Sequence, residues 1–129
     1  MRFLIVLHGD ESLMEQATPE FMQEIVDQMG AFNEELQKAG VLVDGQGLAP
    51  SSEAKTLRYG QDGDVVVTDG PFAESKEQFA GYWIFETKDR DEAVEWLKKA
   101  PAKSGAAEVR QIVETPEENL EKFHEQAKK

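Results

Sequence analysis

The sequence contains no cysteine, only two histidines, and no apolar run close to the roughly 18 residues that a membrane-spanning helix needs. The absence of cysteine excludes a disulfide framework, a thiolate metal site and a cysteine nucleophile. Two isolated histidines also argue against a metal site, and we expect no cofactor. The opening MRFLIVL is only briefly apolar before HGDE, unlike a secretory signal peptide. We therefore expect a cytoplasmic protein.

Basic residues are also few, because 14 lysines and arginines stand against 26 acids and give a formal net charge of −12. Binding of a polyanion requires clustered basic side chains, and here they are scattered. The composition therefore argues against direct nucleic-acid binding, and we interpret the acidity mainly as an aid to solubility. A chain of 129 residues with seven Phe, two Trp and two Tyr is expected to form one domain with one core.

The hydrophobic pattern predicts an α+β domain. Strands are expected at 2–8, 41–43, 55–59, 64–68, 80–86 and 107–113, and helices from Thr18-Pro19 to Gly40, from Asp89 to Pro101 and over about 116–127. Residues 9–17 are expected to form a loop, and 55–68 a hairpin. The underlying β-α-β-β-α-β order is ferredoxin-like, with two helices on one face of an antiparallel sheet. The hairpin and the C-terminal helix are additions to a core over 1–113.

Two of the predicted strands carry large apolar side chains on both faces. These are Phe3, Ile5 and Leu7 against Leu4, Val6 and His8, and Tyr82 and Ile84 against Trp83 and Phe85. The two helices can cover only one face, and exposing the other would leave a patch that monomers usually avoid. We therefore expect a homodimer that packs sheet against sheet around a cavity for a small-molecule ligand.

The densest candidate for chemistry is the loop Asp69-Gly70-Pro71-Phe72, which continues as Ala73-Glu74-Ser75-Lys76-Glu77. Gly70 permits a positive φ and Pro71 fixes the next φ, so one interpretation is a tight turn stapled by Asp69. The other places Asp69 at the mouth of the cavity as a general base or orienting carboxylate. Lys76 is then its partner or an anion binder.

The other candidate site residues are His8, Arg110, Tyr82 and Phe72. His8 is either a rim histidine bonded to the backbone or a proton shuttle facing Asp69, which would make these two the catalytic residues. Arg110 either forms a strand ion pair or anchors a carboxylate or phosphate in the cavity. Phe72 and Tyr82 are candidate ligand contacts, although an aromatic residue such as Tyr82 more often belongs to the core.

The loop motif at 69–77 resembles the signature of the DGPF group of YCII-related proteins. Other matching segments are Gly9-Asp10-Glu11 after the first strand, Pro19-Glu20, Gly40-Val41-Leu42, Gly47-Leu48 and Glu108-Val109-Arg110. The resemblance covers residues 1 to about 113. It implies a ferredoxin-like subunit that assembles as a dimeric α+β barrel.

The resemblance implies two different kinds of function, one in small-molecule chemistry and one in regulation. The wider superfamily has been linked to enzymatic activity through a buried His–Asp pair with its histidine on the first helix, but this chain has no histidine between Pro19 and Ala39. Whether the chain is an enzyme is therefore left open. The first expectation is a protein that binds or transforms a small molecule in the barrel cavity. The alternative is a regulatory protein in sigma-factor-linked transcription initiation, acting through a protein partner.

Overall fold

The computed structural model describes residues 1–102 and 104–113, so the helix expected over about 116–127 lies outside the described residues. The elements are β1 (Arg2–Asp10), α1 (Glu11–Glu15), α2 (Pro19–Lys38), β2 (Leu42–Gly47), β3 (Lys55–Tyr59), β4 (Val65–Asp69), β5 (Glu77–Glu86), α3 (Arg90–Leu97) and β6 (Ala106–Gln111), with a 3-10 turn at Ser51–Glu53.

Four strands form the main sheet in the order β2-β5-β1-β6, and every neighbouring pair is antiparallel. The long connections through α2 and α3 place β1 and β5 at the centre, with β2 and β6 at the edges. The strands β3 and β4 pair with each other in a separate two-stranded sheet. The predicted ferredoxin-like α+β fold with an inserted hairpin is confirmed.

The helix α2 begins and ends where its sequence signals predict. The Thr18 hydroxyl accepts a hydrogen bond from the Phe21 amide at 3.1 Å, which satisfies one of the free donors of the first turn. Pro19 occupies the first helical position, where its missing N–H costs nothing. Gly40 follows the last turn with φ of +73°, a conformation that glycine adopts without strain.

The expected loop over 9–17 contains a short helix that the hydrophobic pattern did not reveal. The Asp10 carboxylate caps α1 by accepting from both the amide and the hydroxyl of Ser12, at 3.0 and 2.6 Å. Glu11 reaches across to the 3-10 turn, where its two carboxylate oxygens accept from the amide and hydroxyl of Ser51 at 2.8 Å each. Because α1 buries no side chain, polar contacts hold it rather than an apolar stripe.

The core lies between one face of the main sheet and the helices α2 and α3. Its buried members are Phe3, Ile5, Phe32, Leu36, Val41, Trp83, Phe85 and Ala93. The Trp83 ring is central, because it contacts Phe32 edge-on at 5.4 Å and Phe85 at 5.9 Å. Its indole N–H donates to the Asn33 side chain at 3.0 Å, so this polar group is satisfied inside the core. Both long helices therefore cover the same face, as predicted.

Two β-bulges set which side chains reach the opposite face. On β2, Leu42 pairs with Phe85 and Asp44 with Ile84, so Val43 is the extra residue. On β5, Ala80 is extra, because the pairing with β1 jumps from Gly81 to Phe79. A bulge reverses the alternation of the residues beyond it. The strand β2 also runs on to Gly47, beyond the strand predicted at 41–43.

Candidate functional site

The face of the main sheet opposite α2 and α3, here called the distal face, carries most of the polar side chains that the sheet presents. Its members follow from the strand register and are Arg2, Leu4, Val6, His8 and Asp10 of β1, Asp44 and Gln46 of β2, Glu77, Phe79, Tyr82, Ile84 and Glu86 of β5, and Ala106, Glu108 and Arg110 of β6. Apolar side chains from β1 and β5 form the middle of this surface, and polar groups lie around it. Such a mixture is typical of a ligand-binding wall.

A hydrogen bond between neighbouring strands joins Tyr82 to Asp44. The Tyr82 hydroxyl donates to Asp44 Oδ2 at 2.8 Å, and the Gly45 amide donates to Asp44 Oδ1 at 2.9 Å. The bulge at Val43 is what makes this pair, because uninterrupted alternation from the inward Leu42 would send Asp44 towards the core. Sequence reasoning named Tyr82 and missed Asp44, since a bulge leaves no signal in the period of hydrophobic residues.

The Tyr82–Asp44 contact also changes the chemistry of the phenol. The hydrogen bond to Asp44 raises the pKa of Tyr82 above its usual 10.0, and partial burial and the negative charge of Asp44 act in the same direction. Tyr82 therefore keeps its proton well into alkaline solution. That proton is directed at Asp44, so the hydroxyl oxygen turns its lone pairs towards any ligand.

Arg110 and Glu108 form an ion pair along β6, with Arg110 Nε 2.5 Å from Glu108 Oε2. Both side chains are on the distal face, Glu108 opposite Val6 and Arg110 opposite Leu4. The structure thus shows the strand ion pair that was one of the two interpretations of Arg110. Because both groups are largely exposed, the pair contributes little to stability.

His8 lies on the distal face near the end of β1. Its ring meets the edge of Phe79 at a centroid distance of 6.2 Å and an angle of 74°. The bulge at Ala80 brings Phe79 onto this face, opposite His8. Within residues 1–102 and 104–113, no hydrogen bond or ion pair joins His8 to Asp69, the partner that sequence reasoning proposed for it.

Asp69 ends β4 and contacts the neighbouring strand of the hairpin. Its carboxylate, 83% exposed, accepts from Lys55 Nζ at 2.5 Å rather than from amides downstream. Gly70 has φ of +107°, and its amide donates to the Ala54 carbonyl at 2.7 Å while its own carbonyl accepts from the Thr56 hydroxyl at 2.8 Å. The loop at 69–72 therefore closes the open end of the β3–β4 hairpin as a specified turn.

Phe72 and Lys76 belong to two further places on the surface. The Phe72 ring is 75% exposed and lies 5.1 Å below the guanidinium of Arg58, a cation–π contact within the hairpin region. Lys76 Nζ lies 3.9 Å from Asp10 Oδ2. A shallow pocket of about 200 Å³ surrounds that contact and is lined by Asp10, Leu13, Lys76, Glu77, Ser104 and Gly105.

Hydrogen bonding by Ser12 dominates the electrostatics of Asp10. The Ser12 hydroxyl and then its amide lower the pKa of Asp10, and the charge of Lys76 contributes less. A carboxylate committed to capping α1 is poorly suited to act as a base. The structure therefore groups three predicted site residues on the distal face, namely His8, Tyr82 and Arg110, and places the other three elsewhere.

The described part of the chain offers neither a metal site nor a membrane helix. Across residues 1–102 and 104–113, no three His, Asp or Glu side chains converge as metal ligands would. In the same residues, no helix is long and apolar enough to cross a membrane.

Comparison with known proteins places these elements in a family. The YCII-related domain matches residues 1–116, a span that includes every described strand and helix. An uncharacterized protein of Rhizobium meliloti (strain 1021) is 31% identical over 115 residues, which cover 87% of this chain and 92% of that protein. The chain belongs to the YCII-related family.

Proposed function

We propose that this protein binds or transforms a small molecule on the distal face of its sheet, in a cavity that a second copy closes to form a dimeric α+β barrel. The observation that carries the proposal is the Tyr82–Asp44 hydrogen bond of 2.8 Å. A bulge directs this polar pair onto a surface whose middle contains the half-buried Leu4 and Ile84. A few oriented polar groups on an apolar wall are what small-molecule recognition requires.

The β3–β4 hairpin supports the presence of a second copy. Among the described strands, β3 and β4 pair with no strand but each other, and a two-stranded hairpin alone is marginally stable in water. Alternate positions put Leu57, Tyr59, Val65 and Val67 on one side, and each of them is exposed. Apolar surface of this kind is typical of protein contacts, and in a symmetric dimer one such surface serves both subunits.

Two finer assignments belong to the same proposal. The motif at 69–77 supports placing the chain in the DGPF group of the family. A cytoplasmic location remains an expectation from the sequence. The alternative role, in sigma-factor-linked transcription initiation, also stays a prediction, because none of the contacts above bears on it.

A thermal-shift screen against metabolites tests the proposed site. We expect at least one compound to raise the melting temperature of the wild type and to lose this effect in Tyr82→Phe and Asp44→Asn. The matched control Asp91→Asn makes the same change of charge at an exposed position of α3, and it should keep the full shift.

Two results would count against the proposal. If no compound stabilises the wild type, the binding function loses its support. If the shift survives Tyr82→Phe and Asp44→Asn but disappears in Asp69→Ala, the site lies at the 69–72 loop and not on the distal face.

A further inference from the structure

We infer that the Tyr82–Asp44 pair recognises a positively charged alkyl or aryl amine, and not a carboxylate or phosphate. The inference rests on the proposed function and names the ligand class of the same site. Three observations carry it: the direction of the tyrosine hydrogen bond, the lack of a cationic partner for Asp44 among the described residues, and the ion pairs that already engage the arginines of this face.

The hydroxyl of Tyr82 can only accept a hydrogen bond from a ligand. A phenol has a single O–H, and here that proton lies between Tyr82 Oη and Asp44 Oδ2 at 2.8 Å. Donation to a carboxylate polarises the hydroxyl and strengthens its oxygen as an acceptor. A carboxylate or phosphate oxygen placed against Tyr82 would face the lone pairs of the hydroxyl oxygen and be repelled. An N–H group in the same place would donate a hydrogen bond to that oxygen.

The carboxylate of Asp44 leaves a negative charge at this position. Its two oxygens each take one hydrogen bond, from the Gly45 amide and from Tyr82. Neither donor is charged, and within the described residues no lysine or arginine lies within ion-pair distance of Asp44. Carboxylate oxygens have capacity for further donors. A cation that bonded Tyr82 Oη and Asp44 together would therefore satisfy both groups.

Two arginines on this face would favour an anion, and both are already engaged. Arg2 pairs with the opposite strand, its Nε 3.7 Å from Glu86 Oε2. The second is Arg110. Its Nε lies 2.5 Å from Glu108 Oε2, so an incoming carboxylate would have to displace one that belongs to the protein. The net charge of −12 also repels anions and attracts cations at longer range. The distal face thus favours an amine, with its hydrocarbon part lying on Leu4 and Ile84.

Tyrosine NMR can test this inference, because the chain has two tyrosines and the other one lies in the separate β3–β4 sheet. Tyr59 lies on the hairpin and is 77% exposed. In full-length protein labelled with ζ-carbon-13 tyrosine, butylamine at neutral pH should shift the Tyr82 signal in a saturable way and leave the Tyr59 signal in place. Butyrate, of the same chain length and opposite charge, should shift neither.

The variants show which groups carry the binding. Asp44→Asn should weaken butylamine binding about tenfold or more, as expected for loss of a charge-assisted hydrogen bond, and Asp91→Asn should leave it unchanged. Calorimetry on Tyr82→Phe should show a similar loss. Tyr82→Phe keeps the shape of the ring, so it provides a second measure if Asp44→Asn does not fold.

Three results would overturn the inference, and they bear differently on the proposed function. Butyrate binding that shifts Tyr82 and disappears in Arg110→Gln would reverse the ligand class and leave the distal-face site standing. Equal losses in Asp44→Asn and Asp91→Asn would mean that butylamine senses only the general acidity of the protein. If neither butylamine nor butyrate moves the Tyr82 signal, and the thermal-shift screen also finds no compound, the inference and the proposed function both fail.

Discussion

Replacing Phe85 with alanine is expected to lower the free energy of unfolding by about 3–5 kcal/mol. The ring is fully buried, with 0% of its surface exposed, and it lies on the central strand β5 beside Trp83 at 5.9 Å. The variant loses the burial of the ring and leaves a cavity that Phe3 and Leu42 on the neighbouring strands cannot fill without moving. Domains of this size have a free energy of unfolding of about 5–15 kcal/mol, so this one substitution would remove a large share of it.

The matched control is Phe72→Ala, which removes the same atoms from an exposed position. Phe72 is 75% exposed and contacts Arg58 through one cation–π interaction, so the expected change is within about 0.5 kcal/mol. Both variants should be unfolded in urea at one protein concentration and followed by circular dichroism, because an oligomer gains stability with concentration. Equal losses in the two variants would contradict the core described above.

Gly45→Ala is expected to lower the free energy of unfolding by about 1–3 kcal/mol through overpacking. An added Cβ would overlap Trp83 Cδ1 and lie 3.1 Å from Trp83 Nε1. The indole cannot move aside easily, because Phe32 and Phe85 pack against it and its N–H is bonded to Asn33. Any shift of the Gly45 backbone would also disturb the amide that holds Asp44.

Gly47→Ala provides the control on the same strand. A Cβ at Gly47 meets nothing within 4 Å, and neither Gly45 nor Gly47 has a positive φ, so the substitutions differ only in the space available. Gly47→Ala should be neutral or slightly stabilising, because alanine restricts the unfolded chain. If urea denaturation shows the two variants to be equally stable, Trp83 does not pack against Gly45 as described.

Much of the fold could be predicted from the sequence because its signals are local. Thr18 and Pro19 mark the start of α2, because the Thr18 hydroxyl accepts from a first-turn amide and Pro19 has no N–H that needs a partner. Gly40 marks its end, because glycine adopts a positive φ without strain. The alternation of Phe3, Ile5 and Leu7 with Leu4 and Val6 identified a strand with two apolar faces. The order of these elements predicted a ferredoxin-like arrangement, and the structure confirms it.

The candidate site could be predicted only in part, because its geometry depends on pairing between distant strands. Tyr82, His8 and Arg110 share the distal face because β1, β5 and β6 are neighbours, and strand alternation gave the directions of Tyr82 and His8. Asp44 could not be found in this way, since the bulge at Val43 reverses its direction. The short helix α1 was missed for a different reason, namely that it has no apolar stripe.

The loop at 69–72 shows how a sequence motif and a functional site can differ. Its residue types specify a turn, and the structure shows that turn with Gly70 at positive φ and Asp69 bonded to Lys55. The pair with the clearest chemical orientation is Tyr82 with Asp44, on the main sheet. The motif is therefore stronger evidence for family than for the location of a ligand.

The measurement that tests the central claim most directly is the mass of the wild-type protein by light scattering at micromolar concentration. If a second copy covers the distal face and closes a cavity around Tyr82 and Asp44, the mass should be twice the 14.5 kDa of one chain. A mass of 14.5 kDa under the same conditions would leave that face without its second wall and would contradict the barrel cavity as the place of function.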